Sequence, residues 1–216
     1  MHRRRRTALV LSAVIAAAAP LLTACGGEAH PGAAAVVGGQ RITVAQLENR
    51  VNEVRRAQRA VVPDESQYQQ VLASTSSLTR DTLHNMVLDR VLHRAARDAG
   101  VTVSPKELQQ MRTGLEQQAG GAKVLETTWL QRYGVAPNRL DDNLRVQLEA
   151  QKLAQKLGTD TSAPAFWKAM SAASADLQID LNPRYGTWDV EKSSRVDAKT
   201  PWVREITATG TPQQTT

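Results

Sequence analysis

The sequence predicts a mainly α-helical domain closed by a small two-stranded sheet that joins the two ends of the domain. Three observations carry that reading. Residues 78–100 hold the longest uninterrupted helical pattern in the chain. Further amphipathic stretches with helix starts and stops flank it. Late in the chain, Leu177-Gln178-Ile179-Asp180-Leu181 alternates strictly, as a half-buried strand does. It is expected to pair with Val36–Gly38 near the start of the domain, and the helices must cover the pair, because two strands alone are marginal.

The central stretch places Leu83, Val87, Val91 and Ala95 at four-residue spacing, with Met86, Leu88, Leu92 and Ala99 widening the stripe. Such a face must be buried, so the other helices are expected to fold around it. Gly100 can take the left-handed conformation that ends a helix.

Composition has to be read by position. The 216 residues carry 27 Lys and Arg against 21 Asp and Glu, a net charge of +6. Four of those arginines, Arg3 to Arg6, lie in the first 24 residues, which hold no acid. From Cys25 onward the balance is 23 minus 21, or +2, so the basic character is largely that of an export signal. Eight aromatic residues (four Trp, three Tyr, one Phe) are too few for a stacking platform, and no nucleic-acid partner is expected. One cysteine allows no internal disulfide.

The apolar run of residues 8–22 is shorter than the roughly 20 residues a membrane span requires, and suits a signal peptide over residues 1–24. It ends in Leu22-Thr23-Ala24-Cys25-Gly26-Gly27, which resembles the lipobox of bacterial lipoproteins. The resemblance implies cleavage between Ala24 and Cys25 and diacylglycerol on the Cys25 thiol. It places the protein on the extracytoplasmic face of the cell membrane. Residues 25–35, small and rich in Gly and Ala, then read as a flexible tether.

From residue 36 the punctuation is regular. Thr43 with Gln46 forms a capping box for a helix bearing Val44, Leu47, Val51 and Val54, and Pro63 stops it. Arg50, Arg55, Arg56 and Arg59 make this helix basic, which reads either as a solvated face or as a contact for anionic head groups. Asp64 caps a second helix. Ser104-Pro105-Lys106-Glu107 combines N-cap, first-turn proline and box partner. Gly120-Gly121 separates that helix from one over residues 122–133. Asn138 is read as the cap of a last long helix that turns Leu140, Leu144, Leu148, Leu153 and Leu157 inward. A short helix over residues 164–173 precedes the closing strand, with Tyr185 and Trp188 plugging the helical core. Beyond residue 189 the chain is polar and unpatterned, and reads as a disordered tail over residues 190–216.

Four motifs then occur in order: Val37-Gly38-Gly39-Gln40-Arg41-Ile42-Thr43, Gly100-Val101-Thr102-Val103-Ser104-Pro105-Lys106-Glu107-Leu108, Leu144-Arg145-Val146-Gln147-Leu148, and Asn182-Pro183-Arg184-Tyr185-Gly186-Thr187-Trp188-Asp189. Together they resemble the N-terminal chaperone domain of the SurA/PrsA-type exported foldases, over residues 36–189. Foldases of this kind commonly insert a parvulin prolyl isomerase domain, on the order of 100 residues, between the late helix and the closing strand. Residues 158–163 leave no room for one there. The resemblance therefore implies the polypeptide-binding part without the isomerase.

The side chains able to carry chemistry point the same way. His84 and His93, nine residues apart on one helix, face about 180° apart and cannot share an ion. Asp141 and Asp142 suit the positive end of a helix. Gly38-Gly39 and Gly120-Gly121 lack the lysine of a phosphate loop. No catalytic residue, metal site or cofactor is assigned. Met86, Met111, Trp129, Tyr133, Phe166, Trp167 and Met170 are the candidates for an adaptable peptide-binding surface, because Met and aromatic side chains re-pack around varied guests. The expected partners are unfolded or nascent exported polypeptides held in an apolar cradle, with membrane attachment through Cys25. The alternative is an accessory lipoprotein for one specific envelope partner.

Overall fold

The computed structural model describes residues 32–197. The lipobox, Ala24 and Cys25 among its residues, lies outside them. The chain enters through strand β1 (Ala33–Val37), turns at Gly38-Gly39 and returns antiparallel as β2 (Gln40–Thr43), with Val37 opposite Gln40. Both turn glycines have positive φ, +58° and +73°, as a two-residue hairpin with the right-handed sheet twist requires. The Gly38 N–H donates to the Leu177 carbonyl at 2.6 Å, and a Cβ there would meet Leu177 Cδ2 at 2.8 Å.

The first strand begins earlier than the sequence suggests. Ala33, Ala34 and Ala35, read above as tether, are buried in it. Ala34 and Ala35 pack in one cluster with Ile42, Leu47, Leu83 and Val87, where short side chains let a strand lie close beneath a helix.

Helix α1 (Val44–Val61) starts at the Thr43–Gln46 capping box: the Gln46 N–H donates to Thr43 Oγ1 at 3.1 Å and the Thr43 N–H to Gln46 Oε1 at 2.8 Å. Helix α2 (Glu65–Ser74) is capped by Asp64. Helix α3 (Leu78–Asp98) buries Leu83, Val87, Val91, Leu92, Ala95 and Ala96. Its first half packs on the sheet and α1, and its second half on the later helices, so it is the axis of the domain. Helix α4 (Pro105–Ala119) has the Ser104–Glu107 capping box, and α5 (Ala122–Tyr133) follows the glycine break.

The start of the next helix departs from expectation. Pro137–Arg139 forms a 3₁₀ turn, so α6 (Leu140–Lys156) has Arg139, not Asn138, at its N-cap position, without a side-chain cap. Asp141 and Asp142 in its first turn meet the helix dipole instead. Leu140, Leu144 and Leu153 are buried as predicted. Leu148 is only half-buried and Leu157 is exposed, while Glu149, 8% exposed, turns toward α3 and lies 3.2 Å from His93 Nδ1. Leu157 is the C-cap just past the last turn of α6, and the five-residue step from Leu148 to Leu153 takes the ladder off a single face of a helix of 3.6 residues per turn.

Helix α7 (Pro164–Asp176) follows directly, so no separate domain is inserted between α6 and α7. The closing strand is shorter than its alternating pattern implies. Leu177 caps α7, Gln178 has φ of 45°, and only β3 (Asp180–Leu181) pairs with β1, Leu181 opposite Ala35 and Asp180 opposite Val36. The sheet joining the two ends is present, with three strands in the order β2-β1-β3, because the return of the glycine hairpin is itself a strand. A 3₁₀ turn (Pro183–Tyr185) buries Tyr185, and a hairpin of β4 (Thr187–Asp189) and β5 (Ser194–Val196) follows. The ordered fold thus continues past residue 189 into the stretch read as tail. At its base Gly186 has φ of +114°, and a Cβ there would lie 2.3 Å from the Val196 carbonyl oxygen.

Candidate functional site

A cleft of about 370 Å³ opens between α1, α3 and the α5–α6 junction. Its frame is one ion pair. Arg139, at the start of α6, forks onto Glu53 of α1: Nε to Oε2 at 2.8 Å and Nη2 to Oε1 at 3.0 Å. Its Nη1 reaches Asp142 Oδ2 at 3.3 Å. Bidentate geometry fixes orientation as well as distance. The Arg139 hydrogen bonds hold the Glu53 carboxyl below its ordinary range, with burial opposing.

The far wall is built from α5 and α6. Tyr133, 51% exposed, stands on it, with Trp129 packed edge-on behind at a ring separation of 5.3 Å. Trp129 Nε1 donates to Asn143 Oδ1 at 3.1 Å, and Gln147 Nε2 donates to the same oxygen at 2.8 Å. This network sets the rotamers of a wall that presents aromatic and amide surface together. Met86 and Asp89 contribute from α3. Asp89 is open to the cleft yet surrounded by protein. That crowding pushes its carboxyl up to about 6; Arg50 opposes the rise, while Glu149 and Asp142 reinforce it.

A second concavity of about 440 Å³ adjoins the first. Arg50, Glu53, Met86 and Arg139 line both, and Arg56 of α1 and Arg90 of α3 belong to the second alone.

The seven candidate peptide-binding residues do not converge. Met86 and Tyr133 line the cleft, and Trp129 supports Tyr133 from behind. Met111 packs in a satellite cluster with Leu125, Leu140 and Leu144. Phe166 and Met170 are core residues, buried with Val91, Leu92 and Leu153. Trp167 is 40% exposed on α7, edge-on to Phe166 and not in the cleft. The expected apolar cradle is corrected accordingly: the cleft is a mixed surface in which arginines, carboxylates and amides outnumber apolar side chains. Arg139, Glu53, Asp89 and Asn143 had no signal in the sequence: Glu53 and Arg139 meet across 86 residues, and Asn143 meets Trp129 only because α5 and α6 fold against each other.

The histidines are also separate. His84 lies against Trp188, ring centroids 5.7 Å apart, and its Nδ1 accepts the Arg195 N–H at 3.3 Å. Burial and the Arg195 charge lower its pKa. His93 faces Glu149. Among the described residues, no helix is long and apolar enough to cross a membrane.

The family model of the SurA-like N-terminal domain matches residues 1–154. That match includes α1 to α5 and most of α6, hence every element that lines the cleft, and stops short of α7 and the closing strands. No curated protein and no solved structure gives a match.

Proposed function

The chain belongs to the SurA-like N-terminal domain family, a chaperone-type domain, and on that premise we propose that it is an exported lipoprotein that binds unfolded or newly secreted polypeptides without catalysis. The observation that carries this reading is the cleft between α1, α3 and α6, which lies wholly within the family match. Met86 and Tyr133 offer adaptable contact to apolar side chains. Asn143 and Gln147 offer hydrogen bonds to the backbone of an extended guest, which every polypeptide has. Binding of this kind is reversible and uses no covalent step.

Attachment through diacylglyceryl-Cys25 completes the proposal. Two acyl chains anchor stably where one holds marginally. A tether raises the effective concentration of the cleft where chains emerge at the extracytoplasmic face of the membrane.

The test is aggregation of a chemically denatured client diluted into buffer. The full chain, purified in detergent, should suppress it in a dose-dependent way. Unchanged aggregation at several-fold molar excess contradicts the proposal.

A second reading, an accessory lipoprotein for one envelope partner, draws on the fixed Arg139–Glu53 and Asn143 geometry, which suits a defined ligand better than a random one. A single stoichiometric partner on affinity capture, with no binding to denatured chains, would favour it.

A further inference from the structure

The arginines of α1 divide into two groups. Arg59 pairs with Glu65 at 2.9 Å and covers the Tyr68 ring, and Arg55 bonds the Thr75 carbonyl at 2.9 Å; both fasten α2. Arg50 and Arg56 instead turn into the second concavity, where Arg90 joins them from α3. Among the described residues none of these three has a carboxylate at ion-pair distance. Arg90 Nη1 donates to the Gln40 carbonyl at 3.1 Å, and burial lowers its pKa with no acid to offset it. The one carboxylate in the wall, Glu53, is already satisfied by Arg139. A half-buried guanidinium group without a counter-charge is costly, and a planar monoanion removes that cost by accepting paired N–H bonds.

We propose that this concavity is a carboxylate-binding subsite that seats an acidic side chain of the bound polypeptide. The inference rests on the polypeptide-binding reading above. The two concavities share Arg50, Glu53, Met86 and Arg139, so one extended segment reaches from one into the other. A planar carboxylate matches the guanidinium fork, and a polypeptide supplies one on any aspartate or glutamate. Polarity sets direction. Asp89 and Asp142 line only the first cleft and repel a carboxylate there, while Arg56 and Arg90 attract it at the other end. The groove therefore selects segments in which an acidic residue flanks an apolar stretch.

The experiment is fluorescence anisotropy with the full chain in non-ionic detergent. The probes are two fluorescein-labelled extended peptides that differ only by aspartate against asparagine beside an apolar run. The aspartate peptide should bind about tenfold more tightly, the worth of one charged hydrogen-bonded contact. The advantage should shrink as salt rises. Arg56→Gln and Arg90→Gln should each abolish the advantage while the asparagine peptide binds as before. Arg56 is exposed, so its variant tests the subsite without disturbing the fold. Equal affinity for the two peptides overturns the subsite and leaves the cleft reading standing. Failure of both peptides to bind overturns both. If the variants instead lose binding to phosphatidylglycerol vesicles while the peptides bind alike, the anion is a lipid and the inference is wrong.

Discussion

Trp188 is fastened to Ser174: the indole N–H donates to Ser174 Oγ at 2.6 Å, joining β4 to the buried face of α7. The Trp188 ring packs against both main core clusters. This one bond thus ties the closing strands to the helical body. Ser174→Ala leaves a largely enclosed N–H without its partner, which costs about 1–3 kcal/mol. At about 2–4 °C per kcal/mol for a domain of this size, calorimetry should record a clear fall in Tm. An unchanged Tm would mean that the closure does not depend on the bond.

Asp89 sets a pH dependence with a defined sign. Its folded pKa, about 6, lies above the usual 3.8. Between those values the unfolded chain has lost a proton that the folded chain keeps, so stability falls as pH rises through the window and stays reduced above it. Water in the open cleft keeps the effect small. Asp89→Asn should flatten that part of the stability–pH curve and raise Tm at neutral pH, with no change in strong acid. A lower Tm at neutral pH would show that Asp89 makes a stabilising contact instead.

Phe166 and Tyr133 should separate folding from binding. Phe166→Ala empties a core site and is expected to cost about 3–5 kcal/mol. Tyr133→Ala removes an exposed ring, and its stability should remain within about 0.5 kcal/mol of the parent. Client affinity should fall in the Tyr133 variant. Chemical denaturation beside anisotropy titration reads both quantities.

Membrane attachment has its own variant. Cys25→Ala removes the proposed acylation site, so fractionation should find the protein released from membranes and unlabelled by radioactive fatty acid. Persistent labelling would place the lipid elsewhere.

Much of the fold is legible in the sequence because its signals are local. Thr43 with Gln46 and Ser104 with Glu107 are complete capping boxes within four residues, and both form. The stripe of α3 is dense enough to identify the central helix. Ala33 to Ala35 illustrate the opposite case. Alanines carry no periodic signal, and their burial is decided by a helix that passes over them. Asn138 is a good cap in isolation, but Pro137 tightens the chain into a 3₁₀ turn and moves the helix start past it.

The cleft is less legible for a related reason. Composition marks which side chains could receive a guest, and not which face of a helix its neighbours cover. Phe166 and Met170 face α3 and α6 and are consumed by the core. The charged frame of the cleft needs Glu53 of α1 brought against Arg139 of the 3₁₀ turn before α6, 86 residues on, which no local pattern encodes.

The most direct test of the account is site-specific photocrosslinking in cells, with the probe placed in turn at Met86 and Tyr133 in the cleft, and at Val124 of α5 and Trp167 of α7, both exposed and outside it. The cleft reading predicts adducts with many exported polypeptides from positions 86 and 133 and few from 124 and 167. Adducts concentrated at Trp167, or equal at all four positions, would contradict it.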